Sequence, residues 1–185
     1  MFKNIDGKKF IDVTSAARVG NLQKGHGVSF ADLDNDGDQD IHIEMGGAFS
    51  GDGYQSSLYI NPGQNKNHRI KISLTGTTSN RAAIGAKIKV TFEENGVMRS
   101  VYREVNSGGS FGSNPLLQHI GIGQAKSIES IEIRWPGSET VQVFKNVQAD
   151  LTVKITEGNN KMEKAMLNIV DFSLATNKII GCSPF

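Results

Sequence analysis

Asp32-Leu33-Asp34-Asn35-Asp36-Gly37-Asp38-Gln39-Asp40 places five carboxylates in nine residues. Three of them stand at alternate positions and a glycine follows, so a tight loop could aim several hard oxygens at one point. Ca²⁺ takes about six to eight oxygen ligands at roughly 2.3–2.6 Å. Without a cation the loop would be strained electrostatically, since two carboxylates at about 4 Å repel by about 1 kcal/mol even in water. The spacing therefore predicts a Ca²⁺ site. Its candidate ligands are the side chains of Asp32, Asp34, Asp36 and Asp40 and the main-chain carbonyl of Asp38. The loop is not an EF-hand, because that template needs a bidentate Glu at position 12, where Ile43 stands with Glu44 one residue late. The flanks differ as well. Val28 and Phe30 alternate before the loop and Ile41, Ile43 and Met45 after it, so it joins two strands. Asp40 then closes the shell in place of the missing Glu.

Other candidate chemistry is weaker. Gly108-Gly109-Ser110-Phe111-Gly112 matches the Gly-x-Ser-x-Gly pattern, but that elbow needs a strand entering and a helix leaving, and Asn114-Pro115 follows at once. A glycine-rich loop fits better. Gly121-Ile122-Gly123 lacks the third glycine and the helix of a dinucleotide site, and no Walker-type loop occurs. His26, His42, His68 and His119 lack paired metal-ligand spacing; hydrogen-bonding roles are expected for His68 and His119. Trp135, Tyr54, Tyr59 and Tyr102 could stack on a sugar, but Trp135 at a strand end reads as core. Arg69, Lys71, Lys87 and Lys89 alternate along two strands and are expected on an exposed sheet face. They lack the interleaved aromatics of a nucleic-acid platform. No catalytic residue and no nucleic-acid partner are expected.

The elements that must position the acidic loop follow from composition and periodicity. The chain has 185 residues, a net charge of +1, 21 glycines and 37 % hydrophobic residues. That composition suits short strands and many turns. Cys182 stands alone, which excludes an internal disulfide or a multi-thiolate site. No run approaches the roughly 18 apolar residues of a membrane span, and residues 1–6 do not read as a signal peptide. The charge is uneven: residues 1–64 carry five basic and nine acidic residues, net −4, and the remainder carries +5.

Asn61 to Asn67 consists of turn formers and marks a boundary. Beyond it, seven segments alternate apolar and polar residues: Ile70-Ile72-Leu74, Ile84 to Phe92, Val97 to Val105, Leu117-His119-Gly121, Ile128 to Trp135, Val141-Val143 and Leu151-Val153-Ile155. Period-two alternation of this kind predicts an all-β domain over 66–158, an antiparallel sandwich or barrel. Asn95-Gly96 predicts a type I′ hairpin turn. In the tail, 159–185, Met162, Met166, Ile169 and Val170 fit a short C-terminal helix, and a strand through 167–174 fits nearly as well.

Phe10-Ile11-Asp12-Val13-Thr14 and Gly25 to Asp38 resemble an FG-GAP/VCBS repeat, the calcium-loop blade unit of integrin-α-like β-propellers. The later stretches resemble the ASPIC/UnbV domain of cartilage acidic protein-like proteins. They are Asn67-His68, Thr78 to Ala86, Arg103-Glu104-Val105, His119 to Gly123 and Ile131 to Pro136. Arg69 departs from the family, which often has an aromatic after the Asn-His pair. One repeat over 1–64 is fewer than the four blades a propeller needs. The sequence is therefore expected to be a fragment of a longer propeller protein or a lone calcium hairpin packed on the β-domain. The resemblance implies export, to the periplasm, the cell surface or the medium. The expected function is a calcium-binding, non-enzymatic recognition or adhesion module with an extracellular protein or glycan as partner. The alternative is an accessory domain of a polysaccharide-acting enzyme whose catalytic part lies elsewhere.

Overall fold

The computed structural model describes residues 1–172 except 6, 48, 64–65, 110–112 and 139. Thirteen strands are formed among the described residues. β1 (Phe2–Ile5) and β2 (Lys9–Asp12) make a two-stranded ribbon, and β3 (Gly25–Ala31), β4 (Asp40–Met45) and β5 (Ser57–Tyr59) make a three-stranded antiparallel sheet. The rest are β6 (His68–Thr75), β7 (Lys87–Glu94), β8 (Val97–Glu104), β9 (Gln118–Gly123), β10 (Ser127–Arg134), β11 (Val141–Gln148), β12 (Leu151–Thr156) and β13 (Met162–Lys164). They form two four-stranded sheets, in the orders β11-β10-β7-β8 and β13-β12-β6-β9.

The alternation explains this arrangement. Ile70, Ile72 and Leu74 of β6, Ile120 and Ile122 of β9, and Val153 and Ile155 of β12 supply one inner face. Ile88, Val90 and Phe92 of β7, Ile131 and Ile133 of β10, and Phe144 of β11 supply the other, all in one buried cluster. Two sheets sharing one apolar layer make a β-sandwich. The sheets do not close into a barrel, and one neighbour pair, β6 with β12, is parallel rather than antiparallel. Trp135 is fully buried in this core, which removes it from any sugar-stacking surface. The Asn95-Gly96 turn has positive φ at both residues, 53° and 78°, as a type I′ turn requires.

Residues 162–170, which carry the helical spacing, are not helical. Met162 pairs with Ile155 in β13 and packs on the core, while Met166 and Ile169 are exposed. A helix over these residues would have no apolar surface to cover, so the sheet edge wins. Ser110 and residues 173–185, including Cys182 and part of the alternative strand, lie outside the described residues.

Candidate metal centre

The acidic loop connects β3 to β4, which pair antiparallel from Ala31↔Asp40 to Val28↔Ile43. Two residues bend it: Asn35 at φ 62° and Gly37 at φ 106°. Asp36 N–H donates to Asp34 Oδ1 at 3.1 Å and Asp38 N–H to Asp36 Oδ1 at 2.8 Å. These two side-chain turns curl the backbone inward. One oxygen from each of Asp32, Asp34 and Asp36 then lies within 4.8 Å of the others. Burial pushes the Asp34 carboxyl above its usual range. The hydrogen bond from Asp36 N–H opposes this, while the charges of Asp36, Asp40 and Asp32 add to it. Burial, with Asp36 next in effect, does the same to Asp38.

Asp40 is placed differently. It is 1 % exposed, its Oδ2 accepts Leu33 N–H at 2.9 Å and its Oδ1 accepts Asn61 N–H at 2.8 Å. Both oxygens tie the two ends of the loop and the 61–63 turn together. Asp38 faces that turn, where a Cβ added to Gly63 would stand 3.2 Å from Asp38 Oδ2. Neither Asp38 nor Asp40 is part of the three-carboxylate cluster.

The loop rests on the outer face of the β13-β12-β6-β9 sheet. Arg69 and Lys71 project from β6 on the face opposite Ile70 and Ile72. Lys71 is not exposed as its alternation suggested: it is 4 % exposed, and its ammonium pairs with Asp32. Arg69 is half-buried, its guanidinium lies over Gly37, and it pairs with Asp150 at 3.2 Å. The acidic hairpin is the layer that covers these cations, so β6 is buried on both faces. Lys87 and Lys89 do line an outer sheet face, where Lys89 meets Glu132 at 3.0 Å. Asp34 O accepts Val170 N–H at 2.7 Å and Asn35 Nδ2 donates to Asn168 O at 2.9 Å, so the tail closes over the loop.

Asp32 has a buried side chain. It is 3 % exposed, its Oδ2 pairs with the Lys71 ammonium, and its Oδ1 accepts no hydrogen bond among the described residues. An all-oxygen cluster with a buried, unbonded Asp32 Oδ1 fits a hard cation such as Ca²⁺. His68 Nδ1 sits 2.6 Å from Asp150 Oδ2, as a hydrogen-bonding role requires. His119 departs from that expectation: its Nδ1 is buried without a partner among the described residues, and burial, reinforced by Lys71, pushes its pKa down to about 4.

A buried carboxylate outside the acidic loop had no signal in the sequence. Glu157 Oε2 accepts the N–H groups of Thr77, Thr78 and Ser79 at 2.8, 2.9 and 2.8 Å. Its Oε1 accepts the hydroxyls of Ser79 at 2.9 Å and Ser138 at 2.5 Å. Burial raises its pKa, but these donors outweigh burial and bring it to about 2. This nest fixes the loop that leads from β6 into β7.

Residues 76–162 match the family model ASPIC and UnbV. ASPIC/UnbV domains are typically extracellular, accessory and non-catalytic. The match runs from the loop after β6 through the start of β13 and so contains most of the sandwich and the Glu157 nest. The acidic loop, Arg69 and Lys71 lie outside it. No curated protein matches the chain. No described helix is long and apolar enough to cross a membrane.

Proposed function

We propose that this chain is a calcium-binding, non-enzymatic recognition or adhesion module of an exported protein, with Ca²⁺ structural and the ASPIC/UnbV sandwich as scaffold. The 25–45 hairpin acts as an FG-GAP/VCBS-like calcium hairpin docked on that scaffold. The reading is carried by the convergence of Asp32, Asp34 and Asp36 within 4.8 Å beside a buried Asp32 oxygen that accepts no hydrogen bond. Bound there, the ion neutralises carboxylates that otherwise repel and holds the loop in one shape. Asp34 Oδ1 and Asp36 Oδ1 hold backbone N–H groups, so their Oδ2 atoms and the Asp38 main-chain carbonyl are the further candidate ligands, while Asp40 braces the loop through Leu33 and Asn61 N–H. With the loop fixed, the surfaces around it are presented rigidly to an extracellular protein or glycan.

Calorimetry with Ca²⁺ and Mg²⁺ tests the metal half. Mg²⁺ demands a smaller octahedron, so Ca²⁺ should bind tighter, with Kd on the order of 10⁻⁴–10⁻³ M for an extracellular-type site. Asp36→Ala should abolish the heat. Equal heats for the variant and the natural chain would remove this site. Incubation of the Ca²⁺-loaded chain with soluble polysaccharides tests the other half: retention without shortening supports recognition, and shortening would refute the non-enzymatic reading.

A further inference from the structure

The acidic loop holds five carboxylates, and β6 sends two cations toward it. Arg69 is already engaged by Asp150. Lys71 is 5 % exposed along its side chain, and its ammonium rests on Asp32. Burying a charge is tolerable only when a partner compensates it, and removing one member of a buried pair leaves the other unpaired at high cost. Asp32 also has a second oxygen, Oδ1, that no group in the described chain bonds. The same carboxylate thus meets the Lys71 ammonium and belongs to the Asp32, Asp34 and Asp36 cluster.

We propose that Lys71 is a built-in counter-cation: it holds the acidic hairpin on the sandwich when no metal is bound, and it lowers the affinity of the metal site by sharing Asp32 with the ion. The second half rests on the calcium reading above; the first does not. In this arrangement the joint between hairpin and sandwich and the metal site are one electrostatic unit. Lys71 answers one of the five carboxylates, which leaves a net negative site that accepts a dication without needing one in order to dock. Lys71 is a positioning residue here, acting through Asp32.

The test is Lys71→Met, read by hydrogen exchange of residues 25–45 in chelator and by calcium calorimetry on the same protein. Trp135, the single tryptophan and fully buried in the sandwich, reports by its emission that the scaffold remains folded. Exchange across 25–45 should accelerate at least tenfold in chelator, and Ca²⁺ should restore protection. Calcium affinity should rise about tenfold, the size expected on removing a unit charge beside a dication in a partly solvated site. Unchanged exchange in chelator overturns the counter-cation role while leaving the calcium reading intact. Weaker calcium binding by the variant overturns the affinity half. No binding by the natural chain overturns that half together with the calcium reading. The Asp32→Leu/Lys71→Met double variant guards against a folding failure of the single one. It should dock in chelator, because no buried charge is left uncompensated. A double variant as loose as the single one overturns the proposal, since the loss would then lie in packing rather than charge.

Discussion

Glu157→Gln changes one oxygen to an amide nitrogen at nearly constant volume, and the five donors around it make the cost calculable. The best arrangement keeps the amide oxygen toward the three N–H groups of 77–79 and turns the NH₂ toward the two hydroxyls. Each backbone hydrogen bond then changes from charge-assisted to neutral, which weakens it by about 1 kcal/mol, or about 3 kcal/mol for the three. The pKa gives an independent figure. A fall from 4.5 to about 2 corresponds to at most about 3.4 kcal/mol at about 1.36 kcal/mol per unit, and somewhat less after solvent screening. For a chain of this size 1 kcal/mol moves Tm by about 2–4 °C, so the variant should melt about 6–12 °C lower at pH 7. The pH dependence has a definite sign. A carboxylate with a depressed folded pKa contributes stability above its unfolded value near 4.5, and that contribution is lost as pH falls toward 2. Melting followed by Trp135 emission at pH 7 and at pH 2–3 should therefore give a gap that closes in acid. Equal melting points at pH 7, or a gap of constant size down to pH 2, would refute the reasoning.

Three further outcomes can be checked with the same preparation. Chelation should lower the Tm of the natural chain but not of Asp36→Ala; for a Kd of ~0.1 mM, 1 mM Ca²⁺ contributes roughly 1.4 kcal/mol, and an unchanged Tm on chelation would count against a structural ion. Gly37→Ala should destabilise the hairpin by about 1–2 kcal/mol in denaturant titrations, because Gly37 holds φ at 106° with the Arg69 guanidinium against it. Ser110→Ala should leave any measured ester turnover unchanged, and turnover abolished by that substitution and by a serine-directed phosphonate would make Ser110 a nucleophile.

Most strands of the sandwich were legible because each turns an apolar face into the core and the chain writes that burial as alternation. In β6, β7, β10 and β12 the buried apolar residues stand mostly at alternate positions, so register and element type follow together. The loop was legible because carboxylate spacing is a local property. What failed to show depends on partners distant in sequence. Lys71 in an alternating strand looks solvated until Asp32 is placed on it, and Glu157 at a strand end looks like surface charge until the 77–79 N–H groups converge on it. The parallel pairing of β6 and β12 is likewise set by a long connection that period-two alternation does not encode. In the tail, Met162, Met166, Ile169 and Val170 carry a helical period, yet β13 forms because Met162 finds the core through the edge of β12. Asp40 had the right residue type for a ligand, while its two oxygens hold Leu33 and Asn61 N–H groups.

The central claim, a cation site built by Asp32, Asp34 and Asp36, is met most directly by a calcium titration of the ¹⁵N-labelled chain followed at each backbone amide. The account predicts saturable shifts confined to residues 32–40 and the segments touching them, around 61–63, 69–71 and 168–170, with β10 and β11 unmoved. Absence of saturable shifts in 32–40 up to about 10 mM Ca²⁺, well above the weakest extracellular-type affinities, would contradict it.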